Sequence, residues 1–259
     1  MADVEGYLKT VFGLQGKTAL VTGATRGIGH GIALAFAKAG AHVIMIQRSD
    51  DPKVKNEIEA LGGKATVVVA DLSDREQVKA VVPKVVEMGF QIDILLNCGG
   101  IQRRHPCAEF PDEDWDAVLQ VNLTTPFLLC RAVGKHILDR KGKGKIINVA
   151  SLNTFQGGLT IPAYASSKGG IGQLTKSLSN EWISQGINVN AIAPGYVATD
   201  MNEALIANPT RSRQIMERIP AQRWGSPDDF EGAGLFLASN ASNYVSGEIL
   251  LVDGGWMGR

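Results

Sequence analysis

Three features of the sequence predict an α/β fold: one domain built on a doubly wound, seven-stranded parallel sheet with helices on both faces. Short apolar runs alternate with longer helical patterns along the chain. The runs are continuously hydrophobic rather than alternating, as strands buried on both faces must be. The thirty glycines recur at strand ends, where tight turns and close ligand approach need them. With 259 residues, 44% of them hydrophobic, there is material for one large core.

The elements follow in order. "TALVTG" at 18–23 is a buried-strand run that stops at glycine. In "GIGHGIALAFAKAG" at 27–40, Ile28, Ile32, Ala35 and Phe36 share one helical face, and a glycine ends the pattern. A second strand is expected at 42–47, a charged helix at 52–63 and a third strand at 65–71. A helix over 74–88 leads to a strand at 93–97, and a long helix over 112–138 leads to a strand at 145–151. A helix over 163–185 precedes the strand at 187–195, and a helix over 227–239 precedes the last strand, at 248–255. The stretch 196–225 holds no strand pattern; a loop of that length within a compact domain predicts a substrate-binding lid.

Composition narrows the function classes. Lys+Arg and Asp+Glu balance at 26 each, which gives no electrostatic reason to expect nucleic acid or a membrane surface as partner. Cys98, Cys107 and Cys130 are few, odd in number and not in metal-ligand spacing, so a reducing, cytoplasmic setting is expected, with no metal site. The first residues lack a basic segment followed by an apolar run, and no apolar stretch approaches membrane-spanning length.

One end of the predicted sheet reads as a nucleotide site. "TGATRGIG" at 22–29 follows a strand and opens a helix, so Gly23, Gly27 and Gly29 can bring the backbone against a pyrophosphate held at the helix N-terminus. An acid at the end of the second strand grips ribose hydroxyls in NAD sites; here that place holds Gln47, followed by Arg48. With no carboxylate to repel it, a 2′-phosphate can pair with Arg48, and Arg26 lies within reach from the glycine loop. NADP(H) is therefore favoured over NAD(H), although both arginines also read as surface charges offset by Asp50 and Asp51. Asp71, at the end of the third strand, lies where an adenine edge would sit or caps the turn that follows it. "NCGG" at 97–100 ends the fourth strand, with Gly99 and Gly100 allowing close approach to a ribose.

The other end reads as chemistry. Tyr164 and Lys168 in "YASSK" are four apart, so a helix places phenol and ammonium on one face. A nearby cation lowers a tyrosine pKa from about 10 and makes it an acid or base. Ser151, at the end of the fifth strand, can hold a substrate oxygen as charge develops. Asn122 sits mid-helix, a poor place for asparagine; it either bonds the backbone as a polar core residue or marks a kink that holds a water beside Lys168.

Taken together, "TGATRGIG", "NCGG", Asn122, Ser151, "YASSK" and "PGYVAT" at 194–199 resemble the short-chain dehydrogenase/reductase family, from about residue 14 to the end. The resemblance implies a Rossmann-like sheet and an NAD(P)-dependent oxidoreductase acting on an alcohol or carbonyl. It implies that Tyr164 is the acid/base, that Lys168 binds the nicotinamide ribose and lowers the tyrosine pKa, that Ser151 positions the substrate oxygen, and that Asn122 anchors a relay water. It further implies cofactor contacts from Thr25 and Ile28 in the glycine loop, from Leu72 and Asn97, and from Pro194, Gly195, Val197 and Thr199. A homotetramer packed through the helices at 112–138 and 163–185 is implied as well. One departure is "NCGG", where the family commonly has Asn-Asn-Ala-Gly; Cys98 and Gly99 predict altered packing rather than lost binding.

Four segments, "IQRRHPCAEF", "FQGGLTIPAYASSK", "RSRQIMERIPAQRWGSPDD" and "VDGGWMGR", are similar to the 2-deoxy-D-gluconate 3-dehydrogenase group, which includes enzymes acting on 2-dehydro-3-deoxy-D-gluconate. A sugar acid needs a cation. Arg103 and Arg104 follow the fourth strand on the side where such sheets bind substrate, and one of them is expected to face the cleft. His105, Gln156, Tyr196 and Trp224 read as further lining groups or as packing residues. Two other readings stand beside this one: a broader carbonyl reductase, and a dinucleotide-binding protein without chemistry.

Overall fold

The computed structural model describes residues 3–259. A helix α1 (Val4–Phe12), not foreseen above, precedes the first strand; Asp3 caps it through the Gly6 amide. The sheet strands are β1 (Thr18–Thr22), β2 (His42–Gln47), β3 (Lys64–Val69), β4 (Ile94–Asn97), β5 (Gly144–Val149), β6 (Ile187–Pro194) and β7 (Ile249–Val252). All are parallel, in the order β3-β2-β1-β4-β5-β6-β7. The chain winds outward from β1 on one side, then returns and winds outward from β4 on the other. That reversal opens a crevice beyond the carboxyl ends of β1 and β4. Thr22 ties the two strands there, its hydroxyl accepting the amides of Cys98 and Gly99 at 3.1 Å each.

Helices α2 (Gly27–Lys38) and α3 (Lys53–Ala60) cover one face. Helices α4 (Arg75–Glu87), α5 (Asp112–Leu119), α6 (Thr125–Asp139) and α7 (Pro162–Trp182) follow in the chain, and α4, α6 and α7 pack on the other face. The large fully buried side chains Leu20, Ile44, Leu95 and Ile146 point to the α4–α6–α7 side, while Val21, Met45 and Leu96 point to the α2 side. Alternation along each strand thus fills two cores, which is why the strand runs carry no polar face.

The expected helix over 112–138 is continuous in direction but changes pitch. Between α5 and α6 lies a π-helical turn, Gln120–Thr124, in which Thr125 N donates to Gln120 O. Asn122 sits at its centre, and such turns occur mostly at functional sites. Contrary to the expectation of no membrane-length apolar stretch, Asp112–Asp139 is long and apolar enough to cross a membrane by length and composition. Its apolar character has a nearer cause: Leu128, Leu129, Cys130, Val133 and Ile137 are buried against the sheet.

The stretch 196–225 is not the featureless loop its sequence suggested. It contains α8 (Glu203–Ile206) and α9 (Pro209–Arg218), the latter capped by Asn208. A bridge between Val197 and Gly225 closes its base. Helix α10 (Glu231–Ala238) then packs on α2 before β7, which ends at Val252 rather than 255 because Asp253–Gly255 turn away.

Gly134, on α6, faces the buried Trp182 ring of α7, and a Cβ there would lie 2.6 Å from the indole. Overpacking of this kind costs about 1–3 kcal/mol, against roughly 1 kcal/mol that alanine gains over glycine in a helix. Gly134→Ala is therefore expected to destabilise the fold and lower Tm by a few degrees in a calorimetric scan; an unchanged or raised Tm would show that the α6–α7 contact has slack.

Candidate active site and its cofactor cradle

A cavity of about 1670 Å³ runs across the carboxyl ends of β1, β4, β5 and β6. Ordinary small-ligand pockets span roughly 300–1,000 Å³, so there is room for two molecules in contact. One half is walled by the glycine turn. Gly23 and Gly27 have φ of +72° and +58°, which L side chains rarely adopt. A Cβ on Gly23 would fall 2.8 Å from Gly99 N, and one on Gly29 would fall 2.2 Å from Gly23 O. No side chain caps α2, so its first-turn amides are left to an anion. A cradle of this shape fits the diphosphate of a dinucleotide.

The expected cofactor contacts mostly line this half. Gly23, Thr25, Arg26, Gly27, Ile28, Gly29, Arg48, Asp71, Leu72 and Gly99 face the cavity, as do Pro194, Gly195, Val197 and Thr199 farther along. Gln47 is buried and donates to the carbonyls of Ser49 (2.9 Å) and Asp51 (2.7 Å), folding the turn that presents Arg48. Arg48 is exposed and has no ion-pair partner among the described residues. Arg26 differs from the expectation: its guanidinium pairs with Asp200 at 2.9 Å, drawing the start of the 196–225 segment over the glycine turn. Asp71 both lines the cavity and accepts the Ser73 amide and hydroxyl, so it shapes its own turn.

Asn97 does not line the cavity. Its amide donates inward to Asn148 Oδ1 (2.9 Å) and Cys130 Sγ (3.3 Å), because strand alternation turns it toward α6. The departure at "NCGG" has a packing counterpart. The Leu72 side chain occupies the space an alanine methyl would need at Gly99, 2.4 Å from the Cβ position, and the Cys98 sulfur lies 3.1 Å from the corresponding point at Gly29.

The chemical half is built by α7. Its buried positions Ala163, Tyr164, Ser167, Lys168, Ile171 and Thr175 form a helical stripe against β5 and β6. Tyr164 and Lys168 share that stripe one turn apart and both line the cavity with Ser151. Ser151 also starts a short 3₁₀ turn, accepting the Asn153 amide at 3.2 Å. Lys168 Nζ donates to the Val149 carbonyl at 2.6 Å and lies 5.6 Å from the Tyr164 ring centroid. Burial pushes the Lys168 ammonium down to about 8. Burial also pushes the Tyr164 phenol up; the Ser151 hydroxyl and the Arg104 charge oppose this, and the buried Cys98 thiol adds to it. The expected lowering by Lys168 is not what this geometry gives. The ammonium is turned to Val149, and the phenol is held protonated at neutral pH.

Asn122 is buried, and its side chain accepts the Ile101 amide at 2.9 Å, donates to the Ile101 carbonyl at 2.9 Å, and donates to Ser167 Oγ at 3.3 Å. It is a clamp between the loop after β4 and α7.

Toward the outer end, Arg103 and Arg104 separate. Both line the cavity, but Arg103 Nε donates to Asp114 Oδ1 at 3.1 Å, whereas Arg104 has no ion-pair partner among the described residues, and Tyr164 feels its charge. His105 does not line the cavity; it bonds Asp114 Oδ2 at 2.6 Å and packs edge-on against Phe110. Gln156 and Tyr196 line it as expected, while Trp224 stands behind Tyr196, centroids 5.7 Å apart. Sequence reasoning missed Ile215 and Arg218 of α9 and Trp256 near the C-terminus, which complete the wall. Arg218 lies 4.0 Å over the Trp256 ring, and Trp256 Nε1 donates to Gln156 at 3.4 Å. No apolar stripe announced α9, whose one buried residue is Ile215.

Comparison with known proteins sets this site in context. A family model described as enoyl-(acyl carrier protein) reductase matches residues 23–257. The 2-dehydro-3-deoxy-D-gluconate 5-dehydrogenase of Pseudoalteromonas atlantica is 53% identical over 251 residues, 96% of this chain and 98% of that one. A crystal structure from Agrobacterium tumefaciens, provisionally named a 2-deoxy-D-gluconate 3-dehydrogenase and holding NADP, superposes with a TM-score of 0.91 at 46% identity, covering 96% of this chain and 99% of its own. A gluconate 5-dehydrogenase from Burkholderia cenocepacia, in complex with NADP and tartrate, gives 0.93 at 38% identity, covering 97% and 99%.

The site also predicts thiol behaviour. Burial pushes Cys98 up to about 11 and Cys130 up to about 12, so neither forms the reactive thiolate near neutrality. Iodoacetamide at pH 7.5 should modify only the exposed Cys107 in the native protein and all three after unfolding, as read by peptide mass spectrometry. Native labelling of Cys98 would mean that the cradle opens far enough to ionise it.

Proposed function

Because the chain belongs to the short-chain dehydrogenase/reductase family, we propose that it interconverts a secondary alcohol and a ketone on a hexonate-type sugar acid, with NADP(H) as cofactor. One observation carries the reading: Tyr164, Ser151 and Lys168 meet Arg104 in the same cavity, directly beyond a dinucleotide cradle. The relatives' sugar-acid activities and the NADP bound in the solved neighbours agree with it.

The residues divide the work as follows. The glycine turn and the N-terminus of α2 hold the diphosphate, and Arg48 meets the 2′-phosphate. When bound, the nicotinamide supplies or accepts the hydride. Ser151 orients the substrate oxygen, and Tyr164 gives it a proton during reduction or removes one during oxidation. Lys168 anchors the nicotinamide ribose. Arg104 pairs with the substrate carboxylate, a charge that the neutral chain attracts only locally. We also propose a homotetramer, supported by the exposed Trp115 on α5 and the exposed Phe127 on α6 under Arg131, and a cytoplasmic setting, supported by three free cysteines.

The protonation states set the pH dependence. A phenol pushed up by burial stays protonated at neutral pH, so reduction should run near neutrality and weaken above about pH 8, where Lys168 loses its charge. Oxidation needs the phenolate and should gain as pH rises. Tyr164→Phe should leave NADPH binding intact and lower turnover in both directions by about a hundredfold or more. Near-normal turnover in that variant would exclude Tyr164 as the proton carrier.

Arg48 governs cofactor choice. A charge-assisted hydrogen bond contributes about 1.5–3 kcal/mol, so Arg48→Ala should weaken NADPH by about tenfold or more in a fluorescence titration and spare NADH. Equal losses for the two cofactors would place the 2′-phosphate elsewhere.

A further inference from the structure

We infer that Asp114 is a positioning residue for substrate selection: by fastening Arg103 and His105 to one carboxylate, it holds the stretch that carries Arg104, between them, and leaves Arg104 as its unpaired cation toward the substrate. The inference rests on the sugar-acid reading above and names the device that aims its cation. Asp114 lies in the first turn of α5, and its two carboxylate oxygens are divided between two neighbours of Arg104. Oδ1 accepts Arg103 Nε at 3.1 Å, and Oδ2 pairs with His105 Nε2 at 2.6 Å. Fastening 103 and 105 to one carboxylate therefore holds the stretch that carries 104.

The segment is pinned at both ends, so it cannot rotate as a unit. Asn122 holds the Ile101 peptide from both sides, and the His105 amide donates to the Thr160 carbonyl at 3.1 Å. Between these two points only the side chains are left to choose. Arg103 Nη1 also donates to the Gln102 carbonyl at 3.2 Å, so its charge, although it lines the cavity, is paired with Asp114.

The arrangement selects as well as aims. Two free guanidinium groups at one cavity mouth would suit a dianion. Neutralising Arg103 leaves Arg104 as the unpaired arginine of this stretch, matched to a single carboxylate. The Asp114 contacts are half-exposed, with Arg103 at 47% and His105 at 36%, and pairs of that exposure add little to global stability. Their consequence is direction, which a stability measurement would miss.

The test measures kcat and KM for a 3-deoxy-hexulosonate-type acid and for a neutral ketone of similar size, in the full-length enzyme, with an NADPH fluorescence titration for each variant. Asp114→Asn keeps the size of the side chain and removes its charge. It is expected to raise KM for the acid about three- to tenfold while kcat, the neutral ketone and NADPH affinity stay within about twofold. Arg104→Ala should raise the acid KM about tenfold or more. Added to Arg104→Ala, Asp114→Asn should bring no further rise, since a residue acting through another is non-additive with it. An additive rise in the double variant, or an unchanged acid KM in Asp114→Asn beside an effective Arg104→Ala, overturns the positioning role and leaves the sugar-acid reading intact. An acid KM indifferent to Arg104→Ala removes the carboxylate contact, and this inference with it. His105→Gln, which leaves Asp114 and Arg103 in place, guards against misfolding: an acid-selective rise in KM supports the device, and equal rises for both substrates overturn it.

Discussion

The site depends on one amide. The Asn122 side chain grips the Ile101 peptide by both its N–H and its C=O, and reaches Ser167 at 3.3 Å, whose hydroxyl donates to the Tyr164 carbonyl at 2.7 Å. Three separately coded segments meet there: the loop after β4, the π turn and α7. Buried amides are costly to leave unpaired, so the three cannot drift apart without breaking several bonds at once. The π turn follows from the same contact. A regular helix through Gln120–Thr124 would carry Asn122 round its axis, and the wider turn keeps it facing Ile101.

The frame that carries this clamp was legible. Strands buried on both faces leave mostly continuous apolar runs, as in "TALVT" and "HVIMIQ", so strand number and a parallel sheet followed. The pairing of Tyr164 with Lys168 was legible because a helix converts a spacing of four into a shared face. Features that depend on which way a side chain leaves a loop were not. His105 read as a site residue and points elsewhere, since one peptide rotation exchanges cavity for interior and no local pattern records it; Asn97, at the end of β4, was turned inward by strand alternation. α8 and α9 were hidden for a related reason: "PTRSRQIMER" is so polar that only Ile215 is buried, and its register is fixed by packing against the C-terminal residues.

The proton chemistry shows the limit of residue-type reasoning more sharply. A lysine four residues from a tyrosine suggests a phenol made acidic. In the fold both groups are buried, and desolvation disfavours the charged form of each, moving the two in opposite directions toward mutual neutrality. Such a pair keeps the proton on the phenol at neutral pH, and Arg104 is a nearby cation that favours the phenolate.

The Arg26–Asp200 pair, 2.9 Å long and exposed on both sides, ties the glycine turn to the segment that leads into α8 and α9. Exposed pairs of this kind hold with less than about 1 kcal/mol, so a polyphosphate arriving in the cradle can take Arg26 from Asp200 with little resistance. The segment so tied is the one that also walls the outer end of the cavity through Ile215 and Arg218. The inner and outer halves of the cavity therefore share one weak exposed tether, whose loosening would be felt in both.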